Sequence, residues 1–390
     1  MRLFISAGEP SGDEHASHLI TEMKRHDSGL ICEGFGGPEM QGQGCKLLYN
    51  LTQNAVMGIS RVIPLLAHFR RLVKQAEAHL TDNPPDAVVL VDFPGFNWWI
   101  AQAAHRRGIP VYYYLPPQLW AWAPWRIRRV RKWVDHVICT LPFEYDWYTD
   151  RGIKTTWVGH PFFDEVADYQ LDQGTLQKLT PVNNDQLVFA LLPGSRTQEI
   201  ENNWPIMLQV AAKVQQANPL IRWIAGCSRP EQQRRCEELQ RDSGLQVEIE
   251  YESSQTSEVI EAADACLMVS GSVSLELLAR RTPGIVLYRT KFYGRFAAKY
   301  LISCRFITLT NLIADNEIMP EIISCRDPAN DIARMEQLLT EWASNPNALA
   351  ASREQLNTLA NKVAIPGATA RTVQLLLKHN VITDLDEIAA

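Results

Sequence analysis

The sequence lacks a long hydrophobic run. None of its 390 residues fall in a stretch that approaches 18 uncharged apolar residues, and the apolar run at the start, residues 3–5, is too short for a signal peptide. This pattern excludes a predicted membrane span or secretory leader. We therefore expect a cytoplasmic protein whose contact with any membrane is peripheral.

The sequence also lacks paired cysteines and metal-binding motifs. Its eight cysteines are scattered, with no C-x-x-C pair and no Cys/His spacing typical of a metal site. A Walker A loop, a G-x-S-x-G elbow and an H-E-x-x-H helix are all absent. We expect reduced thiols, no bound metal and no cofactor, and the hydrolase and metalloprotease classes are not supported.

The chain has no excess of positive charge, since its 38 lysines and arginines are outnumbered by 44 acidic residues. The net charge of -6 argues against a general nucleic-acid binder. One local exception is the run 125–133, "WRIRRVRKW", which places Arg126, Arg128 and Arg129 between two tryptophans. Such a segment suits an anionic ligand or an anionic membrane surface, and a solvated surface helix is the alternative.

What the sequence does contain is a regular alternation of apolar runs and amphipathic stretches. Runs such as "RLFISA", "AVVLVDF" and "HVICTL" repeat up to residue 160, and "LVFALLPG", "IRWIAG" and "ACLMVSG" restart the pattern at Leu187. Alternation of this kind predicts α/β domains with parallel sheets covered on both faces. We expect two doubly wound, Rossmann-like domains, 1–165 and 186–365, around a central cleft, with a polar linker at 165–185 and a C-terminal helix and tail at 366–390 that packs on the first domain or on a partner.

The opening stretch "SAGEPSGDEHASHL", residues 6–19, has the pattern of a strand, a turn and a helix. Ser11 is the predicted N-cap, and Glu14 three residues later completes a capping box. The N–H groups of this first turn could face a ligand. The alternative is a well-capped helix with no further role.

Two segments of the second half have the features of anion sites. In "LLPGSRTQEI", Gly194 permits a tight turn before a helix, and Arg196 supplies a guanidinium that can bind phosphate through two bonds. In "VSGSVSLELLARRTPG", Gly271 and Ser272 lie between a strand and a helix, and Glu276 can accept hydrogen bonds from a ribose diol. Together they predict a nucleotide diphosphate site.

The first half offers a candidate general base. Asp92 ends the apolar run "VVLVDFPGFN" and would stand at the rim of the sheet. A carboxylate in a partly dry cleft can accept a proton. The alternative is an aspartate that only caps the following turn.

Residues 55–75, "AVMGISRVIPLLAHFRRLVKQ", combine apolar and basic positions. Basic side chains beside an apolar face are typical of a segment that enters lipid or holds acyl chains, and core packing is the alternative. The apolar candidates are Val62, Ile63, Leu65, Leu66 and Phe69.

These motifs resemble one known family. "SAGEPSGD", "GFGGPEM", "VMGISRV", "VDFPGFN", "PPQLWAW", "VGHP", "LLPGSR", "SGSVSLE" and "TNLIA" occur in the order and approximate spacing of lipid-A-disaccharide synthases, from about residue 3 to 320. The resemblance implies a GT-B glycosyltransferase of lipopolysaccharide and lipid A biosynthesis. It implies inverting, metal-independent transfer of 2,3-diacylglucosamine from its UDP derivative to 2,3-diacylglucosamine 1-phosphate, giving a β-1,6-linked disaccharide and UDP.

The resemblance also implies roles for individual residues. Asp92 is similar to the family's proposed base, Arg196 and Asn311 to positions important for activity, and Glu276 to the ribose-binding glutamate. The remaining substrate-binding positions are an opening loop that faces the cleft and the two donor segments: Gly8, Glu9, Ser11, Gly12 and Asp13, then Gly194, Ser195, Gly271 and Ser272. The implied partners are the two lipid substrates and an anionic inner-membrane surface on its cytoplasmic face, and a homodimer is left open.

The chain departs from the family at several positions. Pro116-Pro117 stands where Ser-Pro is common, and "SGSVSLE" replaces the commoner "SGTAALE". The alternative functions are another UDP-N-acetylglucosamine transferase, a 2-epimerase, or a non-catalytic nucleotide-sugar sensor. The apolar segment 55–75 argues against an epimerase, and Asp92 together with the phosphate motifs argues against a sensor.

Overall fold

The computed structural model describes residues 1–54, 62–181, 183, 186–289, 304–325 and 327–388, with side chains at all of these except 54, 62–66 and 379–388. The chain divides into two compact units. Unit 1 is Met1–Asp164 together with the stretch that begins at Pro366, and unit 2 is Glu165–Ile365. Within each of the two sheets, all neighbouring strands pair in parallel. This confirms the predicted α/β class with parallel sheets.

The described part of unit 1 contains a seven-stranded sheet. Its strands are β1 (Arg2–Ala7), β2 (Ile31–Gly36), β3 (Lys46–Asn50), β4 (Ala87–Val91), β5 (Val111–Tyr114), β6 (His136–Cys139) and β7 (Thr155–Trp157). Their spatial order is β3-β2-β1-β4-β5-β6-β7. The chain therefore moves outward in one direction from β1 and in the other from β4, so the topological switch point of this sheet lies between β1 and β4.

Helices cover both faces of this sheet. They are α1 (Pro10–His26), α2 (Pro38–Gly42), α3 (Val62–Asp82), α4 (Pro94–His105), α5 (Leu119–Trp122), α6 (Ile127–Trp133), α7 (Pro142–Thr149) and α8 (Phe162–Asp168). Side chains of β1 alternate between two apolar clusters, with Leu3 and Ile5 in one and Phe4 in the other. Burial on both faces explains why the strands appear in the sequence as continuous apolar runs.

The predicted start of α1 is wrong. The helix begins at Pro10 with Glu9 as its N-cap, and no side chain caps it. Proline has no backbone N–H and a fixed φ, so it fits the first helical position, where an N–H would lack an intrahelical partner anyway. Ser11 lies inside the helix and is exposed, and the Ser11–Glu14 capping box does not form.

Unit 2 has the same architecture. Its strands are β8 (Val188–Leu192), β9 (Arg222–Cys227), β10 (Ile249–Ser253), β11 (Ala265–Val269), β12 (Gly284–Arg289) and β13 (Glu321–Ser324). Their order is β10-β9-β8-β11-β12-β13, which puts the switch point between β8 and β11. The helices are α9 (Gln173–Leu179), α10 (Thr197–Ala217), α11 (Pro230–Ser243), α12 (Thr256–Ala262), α13 (Val273–Arg280), α14 (Leu309–Ala314), α15 (Ala329–Ser344) and α16 (Pro346–Val363).

The segment 165–185, expected as a linker, contains helix α9 and packs on unit 2. Leu179 is fully buried, and Arg222 donates hydrogen bonds to the carbonyls of Leu179 and Lys178. Thr175 donates to the side chain of Gln255 at 2.6 Å. The polar composition of this segment reflects a helix that is buried on one side only.

The last helix, α17 (Ala368–Ile388), belongs to unit 1. It packs against α1, and Val373 and Leu376 are buried in the apolar cluster that contains β1. Asp164 caps its start, because its carboxylate accepts the backbone N–H groups of residues 367, 368 and 369 at 2.6, 3.0 and 2.9 Å. In the part of the chain that the structure describes, no helix is long and apolar enough to cross a bilayer.

Candidate active site

The switch point of unit 1 brings two predicted site segments together. Ala7 pairs with Val91 in the parallel register of β1 and β4, so the residues that follow each strand leave the sheet side by side. Gly8 and Glu9 follow β1, and Asp92 follows β4. In open α/β sheets, ligands bind outside the carboxyl ends of the strands at such a point.

The turn after β4 is tight and strained. Asp92 and Phe93 both have left-handed backbone conformations, with φ of 44° and 46°. This conformation costs a residue other than glycine about 1–2 kcal/mol. The Phe93 ring occupies the space where a side chain at Gly8 would lie, since a Cβ there would come within 2.1 Å of the ring. Glycine at position 8 therefore permits this packing.

The carboxyl group of Asp92 has an unusual environment. Burial raises its pKa to about 6, and the negative charge of Glu9 acts in the same direction. A hydrogen bond from the backbone of Phe93 and the charge of His15 act to lower the pKa. Asp92 is half-buried at the rim of the sheet. A carboxylate with a pKa near 6 is still ionised at neutral pH and is a stronger base than an ordinary aspartate.

The backbone carbonyl of Asp92 is held by two buried side chains. Asn97 donates from Nδ2 at 2.7 Å, and the Tyr113 hydroxyl donates at 2.8 Å. Both residues are fully buried. Neither was singled out from the sequence, although Asn97 lies in the "VDFPGFN" motif.

Part of the predicted opening loop is helical. Gly12 and Asp13 lie buried in α1, and the Asp13 carboxylate accepts the backbone N–H groups of residues 37, 39 and 40 at 2.7 to 3.1 Å. Asp13 therefore caps α2, and its role as a substrate-binding residue stays a prediction. Its carboxylate satisfies N–H groups that would otherwise be buried without a partner. Gly8 and Glu9 remain at the switch point.

In unit 2, the segment after β8 forms the expected turn. Gly194 has φ of 107°, and a Cβ there would lie 2.7 Å from a Glu199 carboxylate oxygen. Glu199 Oε2 accepts the backbone N–H groups of Ser195 and Arg196 at 3.0 and 3.2 Å. Arg196 Nη1 donates to Glu199 Oε1 at 2.8 Å.

These bonds to Glu199 change the prediction that residues 194–196 bind the phosphates of the UDP-sugar donor. The N–H groups and the guanidinium that we expected to be available for phosphate are already bound to the carboxylate of Glu199. The side chain of Arg196 is 80% exposed, so this ion pair is weak and open to exchange. Glu199 is the N3 residue of α10, and its carboxylate closes a capping box with the backbone of the N-cap residue Arg196.

The second donor segment begins after β11, on the other side of the switch point. Gly271 and Ser272 connect β11 to α13, with Ser272 as the N-cap residue. Glu276 lies one turn into the helix and is buried, and Arg280 Nε donates to its Oε1 at 3.0 Å. This contact orients the Glu276 carboxylate from its own helix.

Asn311 is buried and fully hydrogen-bonded inside unit 2. Its Nδ2 donates to the Met319 carbonyl and to Glu321 at 2.7 and 2.9 Å, and its Oδ1 accepts the backbone N–H groups of residues 318 and 319. These bonds use the two donors and two lone pairs of the amide. A direct catalytic role is therefore not supported, because the side chain holds the turn before β13.

Glu144 was missed by sequence reasoning. It is buried on α7 and accepts a hydrogen bond from Trp120 Nε1 at 2.9 Å. Burial raises its pKa to about 7 against the effect of that bond, and the charge of Asp92 adds to the rise. The signal that could have found it is the helix start "LPFE", with proline at the first position and a glutamate two residues later.

The predicted acyl-contacting residues are only partly described. The side chains of Val62, Ile63, Leu65 and Leu66 on α3 lie outside the described residues, as do residues 55–61. Phe69 is half-buried, with its ring centroid 5.6 Å from that of Phe96. It packs on the core of unit 1, which was the alternative for this segment.

The basic run has an aromatic border. Arg128 and Arg129 are exposed on α6, and the Arg126 guanidinium lies 4.7 Å from the centre of the Trp122 ring. Trp125 is 64% exposed. Trp99, on the neighbouring α4, is 57% exposed.

Comparison with known proteins identifies the family. A model of the lipid-A-disaccharide synthetase family matches residues 3–365. The chain belongs to this family. Lipid-A-disaccharide synthase 1 of Legionella pneumophila strain Paris is 31% identical over 380 residues, with 96% of this chain and 97% of the relative covered. The lipid-A-disaccharide synthase of Myxococcus xanthus is 30% identical over 380 residues, with 97% of each covered.

Solved structures show the fold. The UDP-GlcNAc 2-epimerase from Neisseria meningitidis, bound to UDP-GlcNAc, has a TM-score of 0.61 at 15% identity and covers 97% of this chain and all of that one. The calicheamicin glycosyltransferase CalG4 has a TM-score of 0.60 at 16% identity, with 100% and 99% covered. The predicted family, the GT-B fold class and the assignment as a glycosyltransferase of lipid A disaccharide formation are confirmed.

Proposed function

We propose that this synthase family member transfers 2,3-diacylglucosamine from its UDP derivative to 2,3-diacylglucosamine 1-phosphate. The products are the β-1,6-linked disaccharide 1-phosphate and UDP. The observation that carries the proposal is Asp92, a carboxylate with a pKa raised to about 6 at the switch point of unit 1. A base is what an incoming sugar hydroxyl requires.

Asp92 acts on the acceptor. Its carboxylate takes the proton of the acceptor 6-hydroxyl while that oxygen forms a bond to the anomeric carbon of the donor. The bond from the anomeric carbon to the β-phosphate oxygen breaks, and UDP leaves with the electron pair. Because the displacement occurs in one step from the opposite side, the configuration at the anomeric carbon is inverted.

The segments at the switch point of unit 2 bind the donor. The diphosphate displaces Glu199 from the N–H groups of Ser195 and Arg196, and the guanidinium follows the stronger anion. Glu276, oriented by Arg280, accepts from the ribose hydroxyls, and the turn at Gly271 and Ser272 lies beside it. The N–H groups of Ser195 and Arg196 and the Arg196 guanidinium stabilise the negative charge that develops on the β-phosphate as UDP departs. This stabilisation supports metal-independent catalysis.

The membrane partner belongs to the same proposal. Trp125 and the exposed Arg128 and Arg129 place aromatic and cationic side chains on one short stretch of unit 1. Aromatic rings favour the lipid interface, and cations favour anionic headgroups. We expect the enzyme to act at the cytoplasmic face of the inner membrane, where both acylated substrates are held. Light scattering of the purified protein measures its oligomeric state and tests whether it forms a homodimer.

One assay tests the reaction. Purified protein is given the UDP-2,3-diacylglucosamine donor and the monophosphate acceptor, and both UDP and disaccharide are measured. Asp92→Asn lowers kcat by about 10²- to 10⁴-fold, because a general base contributes that much. Arg196→Ala weakens binding of the donor. Absence of acceptor-dependent UDP release by the wild type would contradict the proposal, and interconversion of UDP-GlcNAc at C2 would favour an epimerase.

A second assay tests the membrane surface. Co-sedimentation with phosphatidylglycerol vesicles falls at high salt, because screening weakens exposed charges. The double substitution Arg128→Glu and Arg129→Glu abolishes binding, whereas Arg234→Glu with Arg241→Glu, which changes two exposed cations of unit 2, leaves it unchanged. Equal loss of vesicle binding in the two double variants would show that binding depends only on the net charge of the protein.

A further inference from the structure

Buried polar side chains donate hydrogen bonds to the turn that carries Asp92. With Asp92 and Phe93 both left-handed, the carbonyl of Asp92 is directed toward Asn97 and Tyr113, which donate to it at 2.7 and 2.8 Å. Without these two bonds, the carbonyl would be a buried acceptor in a strained turn. The turn could then relax toward an ordinary conformation.

Asn97 links this turn to the neighbouring strand. Its Nδ2 also donates to the carbonyl of Ser6 at 3.1 Å, and its Oδ1 accepts the Ser6 hydroxyl at 2.7 Å. Ser6 lies on β1, immediately before the Ala7–Gly8 end of that strand. One amide therefore fixes the ends of β1 and β4 to each other across the switch point.

Tyr113 supplies the second bond from β5. Its side chain is fully buried, and burial raises its pKa well above 10, so the hydroxyl remains a donor at every pH at which an enzyme works. The bond goes to the backbone of Asp92 and not to its carboxylate. Through this bond, Tyr113 acts on the geometry of the turn that carries the carboxylate.

We propose that Tyr113 and Asn97 are positioning residues, which hold the strained turn so that the carboxylate of Asp92 faces the reacting hydroxyl. The inference rests on the proposed function of Asp92 as the base. It explains why the chain keeps a strained, left-handed turn at this position. Residues held in such conformations cluster at functional sites, where the surrounding structure holds them in place. The alternative is that both side chains only stabilise the fold.

The test uses Tyr113→Phe, which removes one hydroxyl and keeps the packing. Asn97→Ala is unsuitable, because it would remove the acceptor of the Ser6 hydroxyl and a donor to three backbone carbonyls, those of residues 6, 91 and 92. The matched control is Tyr148→Phe. The Tyr148 hydroxyl is equally buried and donates to the backbone carbonyl of Pro117 at the same 2.8 Å.

We expect Tyr113→Phe to lower kcat about tenfold with KM for the acceptor changed less than twofold, since misplacing a reacting group slows the chemical step. The acid limb of the pH profile moves from about 6 toward the ordinary value of 3.8, because a relaxed turn lets water reach Asp92. Tyr148→Phe lowers the melting temperature to a similar extent and leaves kcat and the pH profile unchanged.

A double-mutant cycle separates positioning from stability. In the Asp92→Asn background, Tyr113→Phe has no further effect on kcat if it acts through Asp92. Additive losses, or equal losses of kcat in Tyr113→Phe and Tyr148→Phe, overturn the inference. The wild-type assay is independent of this result: no disaccharide from the wild type would end the proposed function itself, whereas an active wild type with an additive cycle ends only the positioning role.

Discussion

Asp92 shows at the scale of one residue how this chain prepares a base. Its carboxylate is taken partly out of water at the end of β4, beside the charge of Glu9. Both effects favour the protonated form, so the ionised form is more basic than an ordinary aspartate. Catalysis requires that ionised form.

The first prediction concerns pH. Since the base must be ionised and burial raises its pKa to about 6, kcat/KM falls as the pH drops below 6, by tenfold per unit. An aspartate with its ordinary value of 3.8 would keep full activity at pH 5. The measurement is kcat/KM for the acceptor against pH, and a plateau that continues to pH 5 would contradict the assignment.

The second prediction concerns stability. A carboxyl group whose pKa is raised by folding makes the protein less stable as the pH rises from 3.8 to 6. Asp92→Asn removes this penalty, so at pH 8 the variant is more stable by about 2 kcal/mol, although it is inactive. Urea unfolding at pH 8 and pH 4 checks this, with a gain expected at pH 8 that nearly disappears at pH 4.

Single residues were predictable where their role depends on neighbours in sequence. Asp92 stands directly after β4 and Arg196 in the short turn after β8, so the apolar runs before them place them at the rims of the sheets. Asp13 was assigned to the substrate and Asn311 to catalysis, but the Asp13 carboxylate accepts an N–H group at the start of α2, and the Asn311 amide is held by Met319 and Glu321. The sequence pattern does not contain those distances.

At the scale of elements, apolar runs located most strands. Strands β3 and β13 were missed because their sequences "KLLYN" and "EIIS" have too few apolar residues in a row. The start of α1 was misplaced because the proline and the serine both suggest a helix start. The fixed φ of proline determined the outcome.

The third prediction concerns the turn between β8 and α10. Glu199→Gln keeps an oxygen that can accept the loop N–H groups but removes the charge that competes with a diphosphate. UDP therefore binds roughly two- to fivefold more tightly, as expected when one exposed ion pair is lost. Calorimetry measures the affinity.

The control for this substitution is Glu201→Gln on the same helix, whose carboxylate pairs with Arg235. It should leave UDP affinity unchanged. Weaker binding in Glu199→Gln would mean that Glu199 organises the loop for UDP and does not compete with it.

The fourth prediction concerns the start of α17. Asp164→Ala removes the acceptor of three backbone N–H groups and lowers stability by about 1–2 kcal/mol. Amide hydrogen exchange in residues 368–378 becomes faster. Asp172→Ala, which removes the cap of α9 in unit 2, lowers stability without affecting exchange in that helix.

At the scale of the whole molecule, unit 2 is an insertion in unit 1. The chain leaves unit 1 at Asp164 and returns at Pro366, and the returning helix buries Val373 and Leu376 against the core. The sequence left open whether this helix packs on the first domain or on a partner. Composition could not decide this, because an apolar helix face does not specify which surface it covers.

The fifth prediction tests this arrangement with fragments. A fragment of residues 165–365 contains a complete sheet and its core, and it unfolds cooperatively in urea. A fragment of residues 1–164 exposes the face of α1 that α17 covers, so it aggregates or binds hydrophobic dyes. Adding a peptide of residues 366–390 restores its cooperative unfolding, and solubility of 1–164 alone would contradict the prediction.

The return of the chain to its first unit also determines when that unit can be finished in a cell. About 200 residues of unit 2 are translated between Asp164 and the helix that begins at Ala368. At about 5–20 residues per second, the ribosome takes roughly 10–40 s to make them. During that interval the N-terminal sheet is already outside the ribosome with an uncovered apolar patch, so it is a natural client for chaperones that bind nascent chains.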